Sequence, residues 1–176
     1  MTQEPRKLSA QAVHLVRTAT QTNLTLSQMA DQKASILMGA TFVVFTIAVG
    51  QARSGAVPLT LLVLAGFAFL SAMCAVAAIL PAINGKSGGG VPNLLFFGHF
   101  TQLSEDEFAN NVLAELGDDE RIYRTMLRDI HQNGMVLQHK KYRLLRLAYL
   151  LFLTGLVCSF ALFLFESRAL FGGVRL

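Results

Sequence analysis

Residues 120–165 read ERIYRTMLRDIHQNGMVLQHKKYRLLRLAYLLFLTGLVCSFALFLF, and the stretch changes character halfway. Its first half mixes charge with apolar Ile122, Met126, Ile130, Val136 and Leu137, spaced for one face of a helix. From Leu147 to Phe165 there is no charged residue, and at 1.5 Å rise per residue that run reaches roughly 28 Å, about one hydrocarbon core. Lys140, Lys141, Arg143 and Arg146 stand between the halves, where lipid headgroups would lie. No proline interrupts the stretch, and Gly134 and Gly155 cost only about 1 kcal/mol each in a helix. One helix, or two joined end to end, is expected to carry an aqueous surface directly into a membrane.

Outward from that stretch, the composition agrees. Apolar residues make up 53% of the chain and charged residues 15%, against roughly 25% in a usual soluble protein. The charges are clustered, so the apolar stretches are long. The expected class is an all-α integral membrane protein. Its three transmembrane helices are joined by a cytoplasmic N-terminal helix (residues 1–33) and a small helical cytoplasmic insertion between the second and third spans. Cys74 and Cys158 both fall inside apolar runs and read as packed thiols. The first 33 residues are polar and lack the pattern of a signal peptide.

Leu8, Ala12, Leu15, Ala19, Thr22, Leu26 and Met29 follow alternating spacings of four and three. They predict a helix from about Ser9 to Asp31 with that seam against another helix. The helix is expected to continue into the first span, Ala34–Ala52. Arg53, Ser54 and Gly55 make a turn, and the second span runs over 57–83 to complete a transmembrane hairpin (34–83). Pro58 lies near its start, where proline is tolerated, and Pro81 near its exit. Ala65, Ala68, Ala72, Ala75 and Ala82 form a small-residue face that lets a helix approach closely, and it is the candidate assembly face of a homo-oligomer.

Residues 84–143 form the cytoplasmic helical region. Asn84–Gly90, NGKSGGG, is a connector. Its Gly-Lys-Ser invites a phosphate-loop reading, but Leu80 stands where the motif needs its first glycine. Ser104 and Glu107 form a capping box, opening a helix that buries Phe108, Val112, Leu113 and Leu116 and ends at Gly117. Asp118–Glu120 put negative charge at the start of the long last helix. The third transmembrane helix is 144–166, followed by a tail over 167–176.

Basic residues set the topology. Placing the N-terminus and residues 84–146 on one side collects Arg6, Lys7, Arg17, Lys33, Lys86 and all seven lysines and arginines from Arg121 to Arg146. Arg53, Arg168 and Arg175 remain opposite, so the positive-inside rule puts the N-terminus in the cytoplasm and the C-terminus outside. The same rule accounts for the net charge of +4 without a nucleic-acid partner. No carboxylate pair, nucleophile triad or metal cluster stands at catalytic spacing, so the expectation is neither an enzyme nor a metal protein.

ADQKASILMGA (30–40), NLLFFGHF (93–100), LSEDEF (103–108) and IYRTMLRDIHQNGMVLQHKKYRLLRLAYLLF (122–152) together resemble the transmembrane effector family of Pycsar anti-phage defence. The resemblance extends from about residue 10 to 166, in the same order of elements. It implies an inner-membrane effector of antiviral defence that answers a cyclic mononucleotide, cyclic UMP or cyclic CMP. A uridylate or cytidylate cyclase makes that messenger on infection, and the effector then impairs the membrane. A membrane-anchored scaffold docking a cytoplasmic protein is the rival reading.

Such a ligand offers one phosphate charge, a flat base and a ribose hydroxyl. It calls for a cation, an aromatic face and amide or carboxylate groups. Asn93, Phe97, Arg124, Arg128, Asp129 and Tyr142 are the candidate set. Arg124 has a rival role in an ion pair with Glu120, four residues before it. Lys140, Lys141 and Arg143 are read as a lipid-facing basic cluster. Asp31 and Lys33, at the entrance of the first span, are either interfacial groups or a lock between the first and last helices.

Overall fold

The computed structural model describes residues 9–53, 55, 57–80 and 93–172, with backbone alone for 169–172. The connector at 84–90, Pro81 and the end of the expected second span lie outside those residues. The order is α1 (Ala12–Arg53), α2 (Leu59–Ile79), α3 (Phe97–Phe100), α4 (Glu105–Glu115), α5 (Asp119–Val136), a π-helical segment (Leu137–Tyr142) and α6 (Arg143–Gly172). The described chain is helical without strands. Three helical stretches are long and apolar enough to cross a membrane: Ala12–Arg53, Leu59–Ile79 and Asp119–Arg168.

The chain divides into two compact units. One comprises Met1–Gln28 with Pro81–His139, the other Met29–Leu80 with Lys140–Leu176. Both draw on α1 and on the last helical stretch.

In the membrane unit α2 packs along α6. Ala68, Ser71, Ala75 and Ala78 are its buried positions, a three-four-three spacing of small residues. Opposite them lie buried Leu145, Ala148, Gly155 and Ser159. The two helices run antiparallel: Lys140 Nζ donates to Leu80 O at 2.8 Å, Ser71 Oγ to Ala148 O at 2.7 Å, and Thr60 Oγ1 to Glu166 Oε2 at 2.8 Å. Backbone approach is close enough that a Cβ on Gly155 would meet Phe67 Cβ at 2.5 Å. The expected small-residue face is thus largely used inside the chain: Ala68 and Ala75 are covered, Ala65 and Ala72 half-covered. Ala82 lies outside the described residues. The face therefore offers little to a second copy.

The second half of α1 buries Ala30, Ala34, Leu37, Thr41 and Val44, again at alternating spacings of four and three. It meets α2 where the Phe45 and Phe69 rings stand edge to face, centroids 6.2 Å apart. The outward surface of this unit is apolar, with Phe42 71%, Val157 68% and Phe165 75% exposed. Water would penalise so large an apolar surface, whereas lipid accepts it.

In the other unit the first half of α1 shows the seam one residue on from the expected frame. Val16 is buried, and Thr20, Asn23 and Ser27 continue its spacing toward Ala30. Leu15 is 74% exposed, and Leu26 and Met29 also face outward. The reason is polar: Asn23 Nδ2 donates to Ile130 O at 3.0 Å, so an amide and small hydroxyls hold this seam where leucines were expected.

Ser104 begins α4 with both halves of a capping box, and Asp118 caps α5 by accepting from the Glu120 amide. Phe108 and Val112 are half-buried, and Phe108 packs against Phe100 at 5.3 Å. Leu113 and Leu116, expected inside, are exposed. Glu115 shares the half-buried face of Phe108 and Val112 instead, accepting from Thr125 Oγ1 at 2.9 Å.

Candidate functional site

Five of the six residues expected at a nucleotide belong to the first unit: Arg124, Arg128 and Asp129 on α5, Phe97 on α3 and Asn93 ahead of α3. Asn93 is buried; its Nδ2 donates to Asp129 Oδ1 at 2.9 Å and its Oδ1 accepts from the Leu95 amide. That amide is therefore a brace: it closes its own turn and docks the segment carrying Phe97 onto the turn of α5 that carries Arg128. Asn93, expected among the ligand-reading groups, thus has its oxygen and one N–H engaged within the fold. Asp129 keeps one carboxylate oxygen beyond that bond.

Arg124 is gripped by Glu120 through Nε at 2.9 Å and Nη2 at 2.6 Å, the ion pair its spacing allows. Arg128, on the same helix, is half-exposed and has no carboxylate partner among the described residues. Phe97 leans on Phe96 with centroids 5.0 Å apart and stays 54% exposed, so one ring face is open. A free guanidinium, an open aromatic face and a spare carboxylate oxygen are the groups a cyclic nucleotide needs. Tyr142, the sixth candidate, belongs to the other unit.

The same unit carries a shallow groove of about 710 Å³ along α1, lined by Arg17, Thr18, Gln21, Thr22, Thr25 and Met126 among others. Sequence reasoning passed over it because Thr22 was assigned to the helix seam and Arg17, Thr18, Gln21 and Thr25 fall between seam positions. Its hydroxyls donate to carbonyls four residues back, as Thr18 does to His14 O and Thr22 to Thr18 O, leaving their oxygens to accept.

In the membrane unit Lys141 Nζ lies 2.8 Å from both oxygens of Asp31. Lys141, read as lipid-facing, instead joins the last helix to α1. Lys140, its neighbour in sequence, turns to the C-terminal carbonyl of α2, where a cation favours the helix dipole. Both start from the π-helical segment, whose wider i→i+5 turn sets the direction of each side chain. Arg143 is exposed. Lys33 meets the last helix through its carbonyl, which accepts from Tyr149 Oη at 3.2 Å. Its side chain lines a cleft with Tyr142, Leu145, Arg146 and Tyr149. Tyr149 was missed from sequence, although it follows Tyr142 by two helical turns and so shares its face.

Among the described residues no three His, Cys, Asp or Glu side chains gather as a metal site. The sequence model of the Pycsar effector protein domain matches residues 14–166. The chain therefore belongs to that family, and the match takes in both compact units. No curated protein and no solved structure gives a match.

Proposed function

We propose that this member of the Pycsar effector family is activated by a cyclic pyrimidine nucleotide, cyclic UMP or cyclic CMP, and then impairs the inner membrane so that phage propagation stops. The observation that carries the reading is the family match over 14–166, which takes in nearly all of the three stretches long and apolar enough to span a membrane and all the polar candidates on α5. The effector sits in the bacterial inner membrane with its N-terminus in the cytoplasm, facing the uridylate or cytidylate cyclase that supplies its messenger. Phe97, Arg128 and Asp129 form the core of the nucleotide site.

Activation is a shift between two arrangements of the helices. To carry an equilibrium from 1:99 to 99:1 the nucleotide must favour the active arrangement by about 5.5 kcal/mol. Several active copies assembling as a homo-oligomer would add to that preference. The test is co-expression with an active cyclase and, separately, with an inactive one. Growth arrest and collapse of membrane potential are expected with the active cyclase alone. Arrest in both strains would mean unspecific membrane damage, and arrest in neither would favour a scaffold.

A further inference from the structure

Lys33 is the last charged residue before the uncharged run Ala34–Ala52, and Arg146 the last before Leu147–Phe165. Two separate helices thus mark the same level, the edge of the hydrocarbon. Lys141 is occupied by Asp31 and Lys140 by Leu80 O, but Lys33 and Arg146 have no carboxylate partner among the described residues, and both are exposed. They line one cleft of about 420 Å³, within the range of small-molecule sites. Tyr142 and Tyr149 form its walls above buried Leu145. Tyr149 Oη is anchored on Lys33 O, so that wall is set before any ligand arrives.

From this geometry we infer that the cleft is a binding site for the phosphate of an anionic phospholipid headgroup. Two unpaired cations suit one phosphodiester charge, and tyrosines are the aromatic residues that tolerate this level, with a wet hydroxyl and an apolar ring. A bilayer delivers phosphates to this level continuously, whereas a soluble phosphodiester must leave water to reach it. The inference does not rest on the nucleotide reading, since the cleft lies wholly within the membrane unit.

The full chain, purified in detergent, would be titrated with phosphatidylglycerol and with phosphatidylcholine, and bound lipid counted by native mass spectrometry. Phosphatidylglycerol should be retained preferentially. K33Q and R146Q should each weaken that retention about fivefold, and the double variant by more than tenfold, since each interfacial charge acts separately. R121Q, at an exposed arginine of α5 outside the cleft, removes the same charge and should change retention less than about twofold. K33R with R146K keeps both charges and should restore binding, which also separates ligand loss from misfolding. The proposal is overturned if R121Q weakens retention as much as R146Q, because charge count alone would then explain binding. It is equally overturned if cyclic UMP or cyclic CMP displaces the lipid and loses affinity in the double variant, because the phosphodiester would then be the soluble one.

Discussion

Lys141 donates to both carboxylate oxygens of Asp31, at 2.8 Å each, across the level where α1 and the last helix meet the hydrocarbon. The pair is partly covered, with side chains 20% and 41% exposed for Lys141 and Asp31. Partial cover makes it stronger than a surface pair and makes a lone partner costly. D31N and K141M should each lower the thermal midpoint in detergent, by about 1–2 kcal/mol of stability. The double variant D31N/K141M should be little worse than either single one. Additive losses in the cycle would mean that the two residues act independently.

The close approach at Gly155 makes a sharper expectation. G155A must push Phe67 aside and should cost about 1–3 kcal/mol, and G155L should prevent the α2–α6 pairing. F67G, which removes the Cβ that an alanine would keep, should restore part of the loss in G155A. G50A, where nothing lies within 4 Å of an added Cβ, should be neutral or mildly stabilising. Thermal midpoints of the four variants decide it, and equal losses at both glycines would remove the steric explanation.

Two buried serines on this seam should behave oppositely. Ser71 Oγ donates to Ala148 O, whereas Ser159 Oγ is buried without a hydrogen-bond partner among the described residues. S71A loses an interhelical bond, at a cost of about 0.6–1.7 kcal/mol. S159A removes an unsatisfied hydroxyl of nearly the same volume and should be neutral or stabilising. A destabilised S159A would show that its hydroxyl has a partner in the membrane.

Much of this was legible before any coordinates, because long uncharged runs and helix caps are local signals. Leu147–Phe165 has one plausible solvent, and Ser104 with Glu107 fixes a helix start by itself. The frame of the α1 seam was not legible. Leu15, Leu26 and Met29 outweigh Thr20, Asn23 and Ser27 on any apolar scale, yet Asn23 binds Ile130 O, and that depends on a partner far away in sequence. The same distance hid the partners of Lys140 and Lys141. Their directions follow from a π-helical turn, a backbone feature with no strong residue signature. Asn93 had the right chemistry for a ligand and was taken by Asp129, a choice only three-dimensional packing makes.

Acid should loosen the start of α4 first. The Ser104 backbone amide, and then its hydroxyl, hold the Glu107 carboxyl below its ordinary value of 4.5. A carboxyl lowered in the folded state adds stability above the unfolded value, and that is lost as pH falls through the lower folded one. Amide protection in α4, corrected for intrinsic exchange rates, should therefore decline below about pH 4.5. E107Q should abolish the pH dependence while keeping an acceptor for the Ser104 amide. An unchanged pH profile in E107Q would assign the effect to another carboxyl.

The nucleotide site yields the most discriminating set of variants, because residues of like chemistry now differ in what already holds them. Arg124 is held twice by Glu120, whereas Arg128 has no such partner among the described residues. If Arg128 holds the phosphate, R128A should lower cyclic pyrimidine nucleotide affinity about ten- to a hundredfold, the range of a charge-assisted hydrogen bond. R124A should lower it less than about threefold, since its guanidinium already has a carboxylate to leave. F97A removes a stacking face and should cost at least about fivefold, with membrane insertion unchanged. N93A should act differently: it frees the turn ahead of α3 and lowers the thermal midpoint even without nucleotide. Equilibrium binding of cyclic UMP and cyclic CMP to each variant, beside its unliganded thermal midpoint, separates gripping from bracing. Should R128A bind normally while substitutions at Arg17 or Thr22 abolish binding, the nucleotide lies in the α1 groove and Arg128 serves only the surface of α5.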